Sequence, residues 1–225
     1  MGGISETYYR YVYKPVISIY LKTDSGTRID GFKLRVFKGV FHPKFFFSSG
    51  YFYEFLSNKA LAGKAFLEIG CGSGILSLLA FRKGAQVTAV DVDPKAVKNT
   101  SLNFQRNFKD REAGFRVLES DVFSALGQEV FDVIVINPPY YFRKVEMDAQ
   151  LAWYCGEHGE YFEKLFSGLS RHVHAATQVY MILAENAEIG RIREMATLHG
   201  IGFTTADQRR IRFETSYIFQ LKPLG

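Results

Sequence analysis

Residues 65–82 restrict the fold of this chain more than any other stretch. A short apolar run, Ala65-Phe66-Leu67-Glu68-Ile69, is cut off by Gly70-Cys71-Gly72-Ser73-Gly74, and from Ile75 to Arg82 the apolar spacing is that of a helix. Glycine at every second position lets the backbone turn sharply from strand to helix. It also lets a ligand approach main chain that a Cβ would cover. Gly84 then stands where a helix C-cap glycine belongs. Any tight strand-to-helix turn can use glycine, so the surroundings of this loop decide its meaning.

The alternation of strand and helix continues downstream. Gln86–Val90 reads as a strand, and Asp93-Pro94 is an N-cap followed by proline at the first helical position, opening a helix to about Asn107. Phe115–Leu118 is a third strand, and Phe131–Ile136 is a fourth, apolar almost throughout, as expected of a strand covered on both faces. A helix is expected from Gly159 to about His172, a strand over Gln178–Leu183, and a helix from Asn186 to His199. Gln208–Arg212 and Tyr217–Leu221 have no helix between them and should pair antiparallel. Upstream, Val16–Leu21 and Phe32–Phe37 read as a hairpin about the turn signal Asp24-Ser25-Gly26. A loop over Gly39–Ser49 and a short helix near Tyr51–Ser57 follow. The expected fold is α/β: a Rossmann-like, seven-stranded, mostly parallel sheet with helices on both faces over residues 61–225. Residues 1–60 form a short N-terminal β-hairpin extension and lid segment.

Composition removes several classes. With 225 residues, 47% of them hydrophobic and 23% charged, the chain can bury a sizeable core, and no run approaches the 18 apolar residues of a membrane helix. Two cysteines, Cys71 and Cys155, exclude a disulfide scaffold. The N-terminus lacks a basic-then-apolar leader, which makes a cytoplasmic location the expectation. A net charge of +5 is a mild invitation to acidic partners such as RNA.

The next acidic residue at a strand end is Asp91, seventeen positions beyond Gly74. A carboxylate there can accept two hydrogen bonds from vicinal ribose hydroxyls. Glycine loop and acid together imply an adenosine-type ligand at the carboxyl end of a parallel sheet. The position of the third glycine in a dinucleotide fingerprint holds Ile75, and the loop lacks the Gly-Lys-Ser/Thr ending of a phosphate-binding P-loop.

The fourth strand runs into Asn137-Pro138-Pro139-Tyr140. Two prolines remove two backbone donors, force Asn137 out of helical space and make a rigid loop. The Asn137 side-chain carbonyl and the Pro138 backbone carbonyl can accept both hydrogens of one planar NH2 group, and Tyr140 offers a face for a flat group to stack on. An amide or arylamine nitrogen has its lone pair delocalised. Accepting bonds from its protons polarises it, and transfer then depends on positioning. A proline-rich turn also simply ends a strand, and that reading stands beside this one.

Glu68-x-Gly70-x-Gly72-x-Gly74 resembles the first motif of class I S-adenosylmethionine-dependent methyltransferases, and Asn137-Pro138-Pro139-Tyr140 is similar to their amino-methyltransferase signature. The resemblance implies S-adenosyl-L-methionine as cofactor, held by Glu68, Gly70, Gly72, Gly74, Asp91 and Asp121, with Glu68 near the methionine moiety and Asp121 at the adenine amino group. It places the acceptor at Asn137, Pro138 and Tyr140. From about Phe41 onward the chain resembles the HemK-type protein glutamine and related small methyltransferases, through Val40-Phe41-His42-Pro43, Gly156-Glu157-His158-Gly159-Glu160 and Phe213-Glu214. The acceptor so implied is a protein glutamine, as in a translation release factor; the alternative is an RNA or DNA base. Lys44, Phe45-Phe46-Phe47 and Ser48-Ser49 replace that group's acidic residue and threonine or serine, and the expectation for residues 1–60 is a hairpin in place of its bacterial N-terminal helical bundle. A nicotinamide oxidoreductase and a non-catalytic adaptor on the same fold are the more distant alternatives.

Other features carry less. Phe45-Phe46-Phe47 suits core packing or a wall of the site, and Cys71 suits a small apolar filler. His172 and His174 lack the spacing of a metal pair, so no metal is expected. Arg209, Arg210, Arg212 and Lys222 read as solvated charges before a phosphate patch. Tyr8, Tyr9, Tyr11 and Tyr13 suit either stacking or covering a sheet edge.

Overall fold

The computed structural model describes residues 23–44, 47–109, 113–147, 150–211 and 214–224, with the side chain of Phe47 outside the description. Thirteen of its elements follow in chain order: β1 Ser25–Ile29, β2 Phe32–Val36, α1 Phe47–Ser57, β3 Ala65–Ile69, α2 Ile75–Arg82, β4 Gln86–Asp91, α3 Pro94–Asn107, β5 Phe115–Glu119, β6 Val133–Ile136, α4 Glu160–Leu169, β7 Gln178–Ala184, α5 Ile189–Leu198 and β8 Ile201–Ile211. β9, Glu214–Pro223, is the last. Among the described residues seven strands form one sheet in the order β5-β4-β3-β6-β7-β9-β8, with parallel pairing from β5 to β7 and β9 antiparallel to both β7 and β8. β1 and β2 form a separate two-stranded sheet.

Two apolar layers sandwich the seven strands. One face, with Leu67, Ile69, Ile134 and Ile136, packs on Phe162, Leu165 and Phe166 of α4 and on Ile192 and Ala196 of α5. The other, with Phe66, Val87, Val133 and Val135, packs on α1, α2 and Phe104 of α3, and Phe32 and Leu34 of the hairpin join that layer. The aliphatic strands β3 and β6 are buried almost completely because helices cover both sides of them.

The hairpin departs from the expectation. Val16–Leu21 lies outside the described residues. Ser25 and Gly26, read as part of a turn, are strand residues paired with Val36 and Arg35. The turn is Asp30-Gly31, whose φ angles of 45° and 83° suit the tight two-residue loop that matches strand twist. β8 and β9 are also longer than expected. β8 is exposed along most of its length and carries a bulge between Thr205 and Asp207, so no apolar period marks it, and pairing to β9 defines it instead.

The hairpin is held from α3. In β2 the apolar residues Phe32, Leu34 and Val36 are buried and alternate with exposed Lys33 and Arg35. The outer edge of the strand bonds to asparagines of α3. The backbone N–H groups of Lys33, Arg35 and Phe37 donate to Oδ1 of Asn107, Asn103 and Asn99, each at 2.8 Å. Nδ2 of Asn107 donates back to the Lys33 carbonyl, and Nδ2 of both Asn99 and Asn103 to the Arg35 carbonyl. Four helical residues rise about 6 Å and two strand residues about 6.6 Å, so carboxamides one helical turn apart stand in for a neighbouring strand.

Candidate functional site

The carboxyl ends of β3, β4, β5 and β6 open onto a cavity of about 400 Å³. It lies where the strand order reverses, β3 having β4 on one side and β6 on the other. β3 and β6 are paired in parallel as far as Ile69 and Ile136. Gly70 and Asn137 therefore leave the sheet side by side, and a Cβ on Gly70 would stand 3.8 Å from the Asn137 carbonyl oxygen.

Three bonds shape the glycine loop. The Gly72 N–H donates to Asp91 Oδ2 at 2.9 Å, the Thr100 hydroxyl donates to the Gly72 carbonyl at 3.0 Å, and Asn103 Nδ2 donates to the Ser73 carbonyl at 2.9 Å. Gly74 has φ 81°, and a Cβ there would fall 2.7 Å from Thr100 Cγ2, so conformation and space both require glycine. Glu68, one residue before the strand ends, turns its carboxylate under the loop. Its Oε2 accepts the Ser77 N–H at 2.9 Å and the Ser77 hydroxyl, capping α2 from the sheet. Burial pushes Glu68 up to about 8 against the lowering effect of those bonds. Asp91 also accepts the Asp93 N–H at 3.0 Å, and burial pushes it up to about 6. Among the described residues no lysine or arginine forms an ion pair with either carboxylate. Cys71 is buried beside them, and burial drives its thiol well above the ordinary range, which suits a filler and not a nucleophile.

Asp121 follows β5, faces solvent and the cavity, and is ion-paired with Lys164 of α4. The next residue, Val122, has φ 54°, a strained conformation for a β-branched side chain. On the other side Pro138 is buried, Asn137 and Tyr140 are half-buried, and all three line the cavity. Of the nine residues singled out from sequence, the structure brings eight to this wall: Glu68, Gly70, Gly72, Asp91, Asp121, Asn137, Pro138 and Tyr140. Gly74 does not line it and packs behind the loop against Thr100.

The mouth was less legible. Residues 150–156 fold back on the segment that starts at Tyr141, with the Tyr141 N–H donating to the Trp153 carbonyl and the Cys155 N–H to the Tyr141 carbonyl. Trp153 then meets Phe41 across the opening at 5.4 Å between ring centroids. Trp153, Tyr154, Tyr161, Lys164 and Val122 line the cavity and were not singled out; the signal available was that Trp153 is the chain's one tryptophan. Tyr161 Oη is buried with no hydrogen-bond partner among the described residues. The Phe45 and Phe46 side chains and Tyr8, Tyr9, Tyr11 and Tyr13 lie outside the described residues.

The histidines serve elsewhere. His172 stacks on Phe123 at 4.4 Å, and His174 Nε2 reaches Asp132 at the amino edge of β6, away from the cavity. No three His, Cys, Asp or Glu side chains among the described residues are placed to hold a metal ion. Arg209 pairs with Glu54 at 2.5 Å and covers the Tyr51 ring, while Arg212 lies outside the described residues. No helix among the described residues is long and apolar enough to cross a membrane.

Residues 32–155 match the family model described as the methyltransferase small domain. The chain is 44% identical over 80 residues to the ribosomal RNA small subunit methyltransferase C of Chromohalobacter salexigens, a match covering 36% of this chain and 22% of that one. It is 34% identical over 114 residues to a Methanocaldococcus jannaschii chain named for protein N5-glutamine methyltransfer, covering 50% and 53%. These matches span from about a fifth to about half the length of the curated relatives. Among solved structures, the E. cuniculi Mtq2-Trm112 complex, described as methylating the eRF1 translation termination factor, superposes with a TM-score of 0.61 at 20% identity, covering 82% of this chain and 99% of that one. That likeness is one of fold: a Rossmann-like sheet. With more than half of its 225 residues inside the family's span, beginning at β2 and ending past the Asn-Pro-Pro-Tyr loop, the chain belongs to the methyltransferase small domain family.

Proposed function

We propose that this chain is an S-adenosylmethionine-dependent N-methyltransferase acting on a planar NH2 nitrogen, with a protein glutamine side chain as acceptor. The observation that carries the reading is the adjacency of Gly70 and Asn137, with the glycine loop beside the Asn-Pro-Pro-Tyr loop on one rim of the sheet. The residues present fit the cofactor. Glu68 is a buried and Asp91 a half-buried carboxyl, neither with a cationic partner among the described residues and both raised by desolvation, the environment a cationic ligand would relieve. When bound, S-adenosylmethionine supplies an electrophilic methyl group on a sulfonium. Asp91 offers its remaining lone pairs to the ribose hydroxyls, and Asp121 exchanges Lys164 for the adenine amino group. The Asn137 side-chain carbonyl and the Pro138 backbone carbonyl accept the two N–H bonds of the acceptor. They raise electron density on its nitrogen and fix the direction of its lone pair. Nothing in this geometry requires a side-chain base, and the proton shed afterwards passes to solvent through the open mouth.

Charge favours a protein acceptor over a nucleic acid. Among the described residues the lining carries Asp91, Asp93, Asp121, Glu160 and Glu214, with Glu68 held neutral beneath the loop, against Lys164 alone, although the chain as a whole is +5. A phosphate backbone at this mouth meets carboxylates. The nucleic-acid reading draws on the aromatic rim of Phe41, Tyr140, Tyr141, Trp153 and Tyr154, which would stack a base. The deciding experiment supplies tritiated-methyl cofactor to a fractionated cell extract. Label in protein, recovered as N5-methylglutamine and lost with Asn137→Ala, supports the proposal. Label in RNA or DNA refutes the glutamine acceptor, and label unaffected by Asn137→Ala refutes the site.

A further inference from the structure

The asparagine ladder of α3 does more than hold a hairpin. β2 ends at Val36, and Phe37 is the last residue that the ladder grips, through Asn99. Three residues on, the Val40 N–H donates back to the Phe37 carbonyl at 3.0 Å, closing a turn whose Gly39, Val40 and Phe41 form the roof of the cavity. Phe41 lies over the glycine loop, its Cβ 3.8 Å from where a Gly72 Cβ would be, and its ring meets Trp153. The face of α3 that grips the hairpin also grips the loop below: Asn103 bonds both the Arg35 backbone and the Ser73 carbonyl, and Thr100 bonds the Gly72 carbonyl. Floor and roof of the cavity thus share one mount, although Asn99, Thr100 and Asn103 do not themselves line the cavity. Asn99, Thr100 and Asn103 are fully buried.

We infer that Asn99 and Asn103 are positioning residues that set the height of the Phe41 roof over the glycine loop, and so the affinity of the site, through β2. The ladder is graded. Asn107, at its far end, bonds Lys33 and the Asn103 carbonyl, so it steadies the hairpin without reaching the roof. A purely structural ladder would lower stability at all three positions and leave the cavity of the folded protein unchanged.

Trp153 reports on the roof directly, since it is the chain's one tryptophan and packs on Phe41. Its quenching by acrylamide in the ligand-free, folded protein should rise about twofold in Asn99→Ala and stay at the wild-type value in Asn107→Ala. Asn99→Asp, which keeps an acceptor for Phe37 N–H and loses the donor to Arg35, should fall between, and it carries the test if the alanine variant does not fold. S-adenosylhomocysteine should bind Asn99→Ala about 3- to 10-fold more weakly, roughly the loss of one net hydrogen bond. The cofactor half of the inference rests on the proposed function, whereas the quenching does not. Wild-type protein that fails to bind S-adenosylhomocysteine refutes the functional reading alone. Unchanged quenching in both Asn99 variants, or equal change in Asn99→Ala and Asn107→Ala, overturns the inference.

Discussion

Glu68 gives the sharpest handle on the buried chemistry of this site. Its ordinary carboxyl value is 4.5 and burial pushes it up to about 8 in the folded protein. The folded state then binds a proton more tightly than the unfolded chain, so the stabilising contribution is fully present below about pH 4.5 and is lost as the pH rises towards 8. The slope is ~1.4 kcal/mol per pH unit across that window, to a total of roughly 5 kcal/mol as an upper bound. Asp91 adds a slope of the same sign, confined to the interval between 3.8 and about 6. Above about pH 6.5 Glu68 therefore dominates this pair. Glu68→Gln keeps an oxygen to accept from Ser77 and cannot ionise. Urea unfolding of both proteins at pH 5, 6.5 and 8 should give curves that converge at low pH and separate at high pH, with the variant the more stable at pH 8. Titrating groups that do not interact with Glu68, His42 included, cancel in the difference, and the Asp91 charge that helps to raise Glu68 is part of the effect read. Parallel curves, or a variant that is the less stable at pH 8, would refute the view that Glu68 is held protonated by burial.

Four further variants test the loop, the ribose site and the mouth. Gly74→Ala should cost about 2–4 kcal/mol in urea unfolding, combining a left-handed φ with overlap on Thr100. Gly72→Ala, which meets Phe41 at an ordinary 3.8 Å, should cost about half that, and equal costs would contradict the packing role of Thr100. Asp91→Ala should weaken S-adenosylhomocysteine binding by roughly 2–4 kcal/mol in calorimetry, the worth of two charge-assisted bonds, and a loss below threefold would remove the ribose from its role. Trp153→Ala, which gives up the ring contact with Phe41, should raise the acceptor KM several-fold while leaving kcat within about twofold, corresponding to an aromatic pair of about 0.5–1.5 kcal/mol. A fall in kcat with KM unchanged would move Trp153 from the mouth to the chemistry.

The parts of this molecule that could be read from its sequence are those in which one local constraint decides the structure. Gly70, Gly72 and Asp91 are dictated by a strand that must turn within a few residues and end beside another strand's acid. Pro138 and Pro139 act on their own backbone, so their consequence travels with the sequence. β6 was legible because burial on both faces leaves a run of aliphatic residues. β8 was not, because its exposed residues, Thr204 to Arg210, carry no apolar period and the strand exists by pairing with β9.

The same distinction explains why the floor of the cavity is legible residue by residue, whereas its roof is legible only as a lid segment somewhere in residues 1–60. The floor is built by neighbours in sequence: Glu68 caps the helix that its own loop begins, nine residues on. The roof is built by partners far apart in the chain. Phe37 is held by Asn99, 62 positions away, and Phe41 meets Trp153, on the far side of β6 in sequence. Asparagines at every fourth position on α3 look like ordinary polar surface until β2 is laid against them, since a carboxamide is as much at home in water as on a strand edge. Their burial marks the difference: with Asn99 and Asn103 at 0% exposure, each unmatched carboxamide would cost about 1–3 kcal/mol, so the helix can bury them only where a strand edge supplies both donor and acceptor. The hairpin and the methyltransferase core are for that reason one folding problem. Removing β2 should cost the core more than the apolar area of Phe32, Leu34 and Val36 alone would suggest.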